Sequence, residues 1–168
     1  MSSGLGARLQ WLLASMGLAR ATPPAGGPAT REASARLVKW FLLSEGAGDT
    51  PGLNEQGFGG TMVGGAQLHF EHHADTQQLE CGALIYRFRE EPKPGVIEGF
   101  LKEAEEGSDT GGGVVDYEPE SKSLFLTRTY SELPPGTAFA RDMDALMKAS
   151  LEWGHDVLDR VATRVFGH

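Results

Sequence analysis

The 168-residue sequence predicts an α+β domain, a mainly antiparallel sheet of about five strands with helices packed on one face in the order α-βββ-α-ββ-α. Three observations predict it. Residues 66–89 alternate apolar and polar side chains with the two-residue period of strands. Residues 114–130 do so again around a polar turn. The chain then closes on a long stretch in which apolar residues recur every three or four positions, the period of a helix with one buried face.

Residues 1–29 stand apart as an amphipathic helix followed by a Pro/Gly linker, and residues 30–168 carry the domain. Over Leu5 to Ala19, the side chains of Leu5, Leu9, Leu12, Leu13 and Met16 share one helical face, Arg8 and Arg20 give a basic tint, and acids are absent. The stretch falls short of the roughly 20 apolar residues of a membrane span. Three placements are open to it: an export signal, for which Ala19-Arg20-Ala21 has the small-x-small form but the preceding charge is weak; a helix in weak contact with a membrane surface; or a helix docked on this protein or a partner. Ala21 to Ala29, with three prolines and two glycines, reads as the linker.

Helical spacing resumes at Thr30. Ala33, Leu37, Trp40, Phe41 and Ser44 fall along one side of a helix over Arg31 to Leu43, and Val38 and Leu42 widen that side, so the helix is buried on more than one face. Residues 45–60 read as a long loop, marked by glycines and Pro51. Gly57, Gly59, Gly60, Gly64 and Gly65 lack the strand-to-helix setting and the following Lys-Ser/Thr of a phosphate loop, so they are turn glycines and no nucleotide site is expected. In the strand Ala66 to His73, Leu68, Phe70 and His72 alternate with Gln67, His69, Glu71 and His73, giving one buried and one polar face. A turn at Ala74 to Gln77 leads to the strand Leu79 to Arg89, where Leu84, Tyr86 and Phe88 oppose Leu79, Cys81, Ala83 and Ile85; with two apolar faces it belongs in the centre of the sheet.

Pro92 and Pro94 end that strand and introduce a short helix, Val96 to Ala104, with Ile97, Phe100, Leu101 and Ala104 at i, i+3, i+4 and i+7. An acidic connector through Glu103, Glu105 and Glu106 to Gly113 joins it to the strand Val114 to Tyr117, a turn at Glu118 to Lys122 and the strand Ser123 to Tyr130. After a Pro-Pro-Gly break, Phe139, Met143, Leu146, Met147, Trp153, Val157, Leu158, Val161 and Val165 form one stripe of a final helix, opposite Lys148, Glu152, Asp156 and Asp159. Thr137 is its expected N-cap. Asp142 and Asp144 come early, Arg160 and Arg164 late, and Gly167 closes the helix, so the charges complement the dipole. Ser150 and Gly154 lie inside the stripe, which predicts close approach of the helix backbone to the sheet, at about 1 kcal/mol for the glycine.

The composition narrows function by exclusion. Fifteen Lys and Arg stand against 23 Asp and Glu, for a net charge of -8, and no basic cluster offers the phosphate contacts on which nucleic-acid binding rests. The one cysteine, Cys81, has no internal disulfide partner and sits in a strand pattern as a small core residue, in keeping with a reducing cytoplasm. His69, Glu71 and His73 share a strand face, and two imidazoles with a carboxylate are metal-ligand types. Alternate residues of a strand stand roughly 6.6 to 6.8 Å apart, however, which separates His69 from His73 by roughly 13 Å, so the reading is an exposed polar face and no metal site. His155 and His168 have no sequence-local acid and nucleophile beside them. No catalytic constellation emerges, and no cofactor is expected.

Gly112-Gly113-Val114-Val115-Asp116-Tyr117-Glu118, then Ser123-Leu124-Phe125-Leu126-Thr127-Arg128, then Phe139 with Leu146, Ala149 and Trp153, resemble the closing pattern of the class I type III secretion chaperones, the Tir-chaperone-like family. Element order, small size and acidity match over about residues 30 to 165, while residues 1–29 are an addition to the family pattern. The bacterial YbjN-like group is similar in element order and is the second resemblance. The first resemblance implies a cytoplasmic homodimer, without enzymatic activity, that holds an extended segment of a client protein. Main-chain hydrogen bonds from a strand edge and pockets for alternate side chains would do the holding. The client-binding candidates are Leu68, Phe70, Leu84, Tyr86 and Phe88; the resemblance places the short helix at the twofold interface, which makes Ile97, Phe100 and Leu101 the dimer-interface candidates. The alternative is an adaptor or regulatory domain recruited to a membrane surface or a larger complex by residues 5–19.

Overall fold

The computed structural model describes residues 22–167, so the expected helix over residues 5–19 lies outside the described residues. Strand β1 (Gly27–Pro28) falls inside the Pro- and Gly-rich stretch and pairs antiparallel with β7 (Glu132–Leu133), Gly27 opposite Leu133. The Gly136 N–H donates to the Pro24 carbonyl at 2.8 Å, and the buried His72 ring donates through Nε2 to the Ala29 carbonyl at 2.8 Å. These bonds dock residues 24–29 on the body of the protein, a role that composition alone does not announce.

Thr30 caps helix α1 (Arg31–Ser44), its Oγ1 accepting from the Ala33 N–H at 3.1 Å. Strands β2 (Phe58–Val63), β3 (Ala66–His73) and β4 (Gln78–Arg87) follow, then α2 (Val96–Glu105), β5 (Val114–Glu118), β6 (Ser123–Tyr130), β7 and α3 (Gly136–Glu152). The long loop expected over residues 45–60 is shorter by the first residues of β2. The main sheet is antiparallel with strand order β2-β3-β4-β6-β5, which puts β4 in the centre, where its two apolar faces require it. The turns that close β3 to β4 and β5 to β6 each place one residue in the left-handed region, Gln77 and Lys122.

The closing helix is not one straight element. A π-helical turn (Trp153–Val157) separates α3 from α4 (Leu158–Phe166), and Gly167 ends α4 in the left-handed conformation. The first turn begins one residue before the expected cap: Gly136 opens α3 and the Phe139 N–H donates to the Pro135 carbonyl at 2.9 Å, so Thr137 is inside the helix rather than its N-cap. At the π turn, a Cβ on Gly154 would lie 3.0 Å from the Ile85 carbonyl oxygen of β4. The close approach predicted from the small residues is therefore real at Gly154. Ser150 instead buries its hydroxyl by donating to the Met147 carbonyl at 2.8 Å.

The chain groups into two compact units, and β3, β4, β6 and α3 run through both. Of the described residues, one comprises those up to Gly64 with His69–Glu80 and Thr129–Arg141; the other comprises Gly65–Leu68, Cys81–Arg128 and those from Asp142 onward. The core of the first is aromatic. Phe41 meets Phe139 edge-on at 5.6 Å and Phe70 at 6.2 Å, and Tyr130 closes on Phe139 at 5.8 Å. The core of the second contains Leu68, Cys81, Ala83, Leu124, Leu126, Met143, Leu146, Trp153 and Val157, all buried. Phe100 of α2 stacks on Trp153 at 6.1 Å, and the indole Nε1–H donates to the Asp109 carbonyl at 2.8 Å. Helix α2 also packs closely on α4: a Cβ on Gly99 would lie 2.8 Å from Val161 Cγ1, so a larger residue there would force the Val161 side chain to shift.

Candidate functional site

A groove of about 590 Å³ opens in the second unit, between the end of β4 and helix α4. Tyr86 is the last apolar residue of β4, and Phe88 continues the same face beyond it, held by its N–H donating to the Lys122 carbonyl at 2.8 Å. The two rings meet edge-on at 4.9 Å, and Phe88 meets Tyr117 of β5 at 6.2 Å, so one aromatic row runs from the groove toward the outermost strand on that side of the sheet. Leu158, Ala162 and Phe166 form the opposite wall at a spacing of four residues, one face of α4. Lys93 Nζ sits 5.7 Å from the Phe166 ring centroid, and Arg89, Glu90, Glu91 and Asp159 complete a rim of both charges. The groove is apolar inside and charged at its edge. Tyr86 is 40% exposed and Phe166 45%, which is unusual exposure for rings that adjoin a packed core.

The five client-binding candidates do not form one surface. Leu68 and Phe70 are buried, so their side chains belong to the cores. Leu84 is half-buried and does not line the groove, whereas Tyr86 and Phe88 do. Of the dimer-interface candidates, Phe100 is fully buried against Trp153, Ile97 is half-buried and Leu101 is 44% exposed. Leu158 was expected on the core stripe, and Phe166 lay outside it. The signal for both was the second apolar row, Leu158, Ala162 and Phe166, beside the stripe that contains Val157 and Val161.

The polar face of β3 holds a side-chain cluster. His69 Nε2 lies 3.3 Å from Glu80 Oε2 and His73 Nε2 lies 3.2 Å from Glu80 Oε1, while His73 Nδ1 lies 3.2 Å from Glu71 Oε2. Glu80 comes from β4, so it is invisible to spacing along β3 alone. The hydrogen bond from His69 holds its carboxyl below the ordinary value of 4.5, against burial that would raise it, with His73 assisting. In the first unit a further hollow, about 690 Å³, lies beside Pro24 and Pro28 and is walled by Trp40, Leu43, Arg36 and Lys39 of α1.

No protein-family model matches the chain, and no curated protein matches it. Solved structures do. The crystal structure of the ExsC–ExsE complex aligns with a TM-score of 0.57 and 14% identity, covering 71% of this chain and 90% of that one. The structure of the HopA1–SchA chaperone–effector complex aligns with a TM-score of 0.47 and 13% identity, covering 74% of this chain and 91% of that one. The chain therefore has a fold found in the ExsC–ExsE complex.

Proposed function

We propose that the protein is a non-enzymatic, cytoplasmic binding module that holds an extended segment of a client protein in the groove between Tyr86 and Phe166. The observation that carries this reading is the aromatic row Tyr86, Phe88 and Tyr117, which leads from an apolar groove to the outer strand β5. A client segment can place apolar side chains in the groove while its main chain pairs along a strand edge. The mixed-charge rim then selects register rather than supplying affinity. The likeness to a chain of the ExsC–ExsE complex supports a protein as the ligand. Among the described residues no helix is long and apolar enough to cross a membrane.

The test is co-purification of the native full-length protein with its partner, identified by mass spectrometry, beside Tyr86→Asp and Phe166→Asp variants. Both side chains are exposed enough to change without opening a core. Each variant is expected to lose the partner at least about tenfold, a shift of about 1.4 kcal/mol, while far-ultraviolet circular dichroism and the unfolding midpoint stay at wild-type values. A partner retained at wild-type yield by both variants removes the groove from the binding surface.

The module acts as a homodimer in this proposal, with Leu101 and Ile97 of α2 meeting their copies across a twofold axis. Phe100 serves the core and is left out of that contact. Leu101→Asp is expected to sediment as a monomer with its fold intact, whereas Phe100→Ala unfolds the second unit. A wild-type protein that sediments as a monomer at micromolar concentration contradicts the dimer. Deleting residues 1–21 leaves the docked Pro24 and β1 in place, so it tests recruitment by the N-terminal segment without disturbing the β1–β7 pair.

A further inference from the structure

We propose that Glu71, His73 and Glu80 bind one divalent late-transition-metal ion of the zinc type, with His69 steadying Glu80 from behind. This proposal is independent of the groove. It rests on the convergence of two strands: Glu71 and His73 project from the polar face of β3, and Glu80 reaches toward them from β4. One ligand atom from each of the three lies within 4.8 Å of the others. Zinc takes nitrogen and carboxylate oxygen at about 2.0 to 2.2 Å, which sets tetrahedral ligand atoms roughly 3.4 Å apart. A closing movement on the order of 1 Å therefore completes the site. The side chains are 26–32% exposed, so they can make that movement and an ion can reach them.

The hydrogen-bond inventory argues for a cation here. His73 faces a carboxylate from each ring nitrogen, Glu71 from Nδ1 and Glu80 from Nε2. A neutral imidazole has one N–H and one lone pair, and an ionised carboxylate has only lone pairs. With a neutral ring, one of the two contacts sets lone pair against lone pair. A metal ion on the unprotonated nitrogen turns that repulsion into a shared ligation, and the second carboxylate turns one oxygen from the other ring nitrogen toward the same ion. His69 then occupies the position of an outer-shell partner, contacting the other oxygen of Glu80 at 3.3 Å. Three protein ligands leave a fourth position for water. One imidazole among the ligands disfavours magnesium and calcium, which need six or more oxygens. The ion would clamp β3 to β4 in a chain whose single cysteine forms no disulfide.

The experiment titrates Zn²⁺ alone into the chelator-treated full-length protein by calorimetry, with Mg²⁺ as the comparison. One Zn²⁺ per chain is expected, no heat from Mg²⁺, and at least about tenfold weaker Zn²⁺ binding in His73→Gln and in Glu80→Gln. A readout that needs no variant is the histidine ring NMR spectrum of the wild-type protein. The His73 signals should shift on adding Zn²⁺ while those of the buried His72, held by Ala29, stay in place. No Zn²⁺ binding by the wild-type protein overturns the proposal. Zn²⁺ binding that is unchanged in both variants, or that moves His155 or His168 instead of His73, also overturns it.

Discussion

Replacing Trp153 with alanine is expected to remove about 3 to 5 kcal/mol of stability, the range for a large aromatic cut from a core. Three losses combine. The indole is fully buried in the second unit, its stacking on Phe100 at 6.1 Å is the anchor of helix α2, and its N–H is the donor to the Asp109 carbonyl at 2.8 Å. Alanine leaves a cavity and an acceptor without its partner. Because the total stability of a domain is about 5 to 15 kcal/mol, the variant should be partly unfolded or unfold at low urea concentration. Trp153→Phe separates the terms: it keeps most of the ring and loses the hydrogen bond, so it should cost roughly 0.5 to 1.5 kcal/mol plus its packing mismatch. Urea unfolding followed by far-ultraviolet circular dichroism measures both. A wild-type midpoint in Trp153→Ala would show that the apolar stripe does not face a core.

The second large effect is expected at Glu103. Its carboxylate, buried at the end of α2, accepts from Ser108 at 2.9 Å, from Arg160 at 3.4 Å and from Arg164 at 3.2 Å, and so ties α2 to α4. Burial pushes the carboxyl upward, but the hydrogen bonds from Arg160 and Ser108 and the two arginine charges outweigh it and hold the group below its ordinary value of 4.5. Glu103→Ala removes an acceptor of several charge-assisted hydrogen bonds, worth roughly 1.5 to 3 kcal/mol. The arginines are half-exposed and return to water, which keeps the loss below that of a fully buried pair. The depressed value also fixes the pH dependence. Stability from Glu103 is fully present above the ordinary carboxylate value and is lost as pH falls through the lower folded value. Glu103→Gln should therefore differ from wild type more at about pH 7 than at about pH 3, and unfolding at the two pH values checks it. Equal differences at both would remove the carboxylate charge from the account.

The architecture was legible in the sequence where a single side-chain period decides the matter. Leu68, Phe70 and His72 are buried on β3, the two apolar faces of β4 place it centrally, and the stripe through Phe139, Met143, Leu146, Trp153, Val157 and Val161 is buried as expected. Features that depend on two distant segments were not legible. Glu80 lies between His69 and His73 only because β3 and β4 pair, so a distance reckoned along one strand separated groups that a neighbouring strand connects. Gly27 and Pro28 look like linker composition, and only the pairing with Glu132 and Leu133 gives them a place. The π turn at Trp153–Val157 escaped for another reason: one wide turn leaves a three-or-four-residue apolar spacing intact, and Gly154 marks the spot only once Ile85 is seen against it. The groove was half legible. Tyr86 and Phe88 stood out as strand aromatics, but which of them face solvent depends on where α4 ends its cover, at Phe166.

A photo-crosslinking amino acid placed at position 86 of the full-length protein tests, in the native complex, whether a client segment lies in the groove against Tyr86. Crosslinks are expected from position 86 to one contiguous apolar segment of the co-purified partner, and none from the same group placed at the exposed Leu151, which does not line the groove. Crosslinks from position 151 but not from position 86, in a complex that still forms, would contradict it.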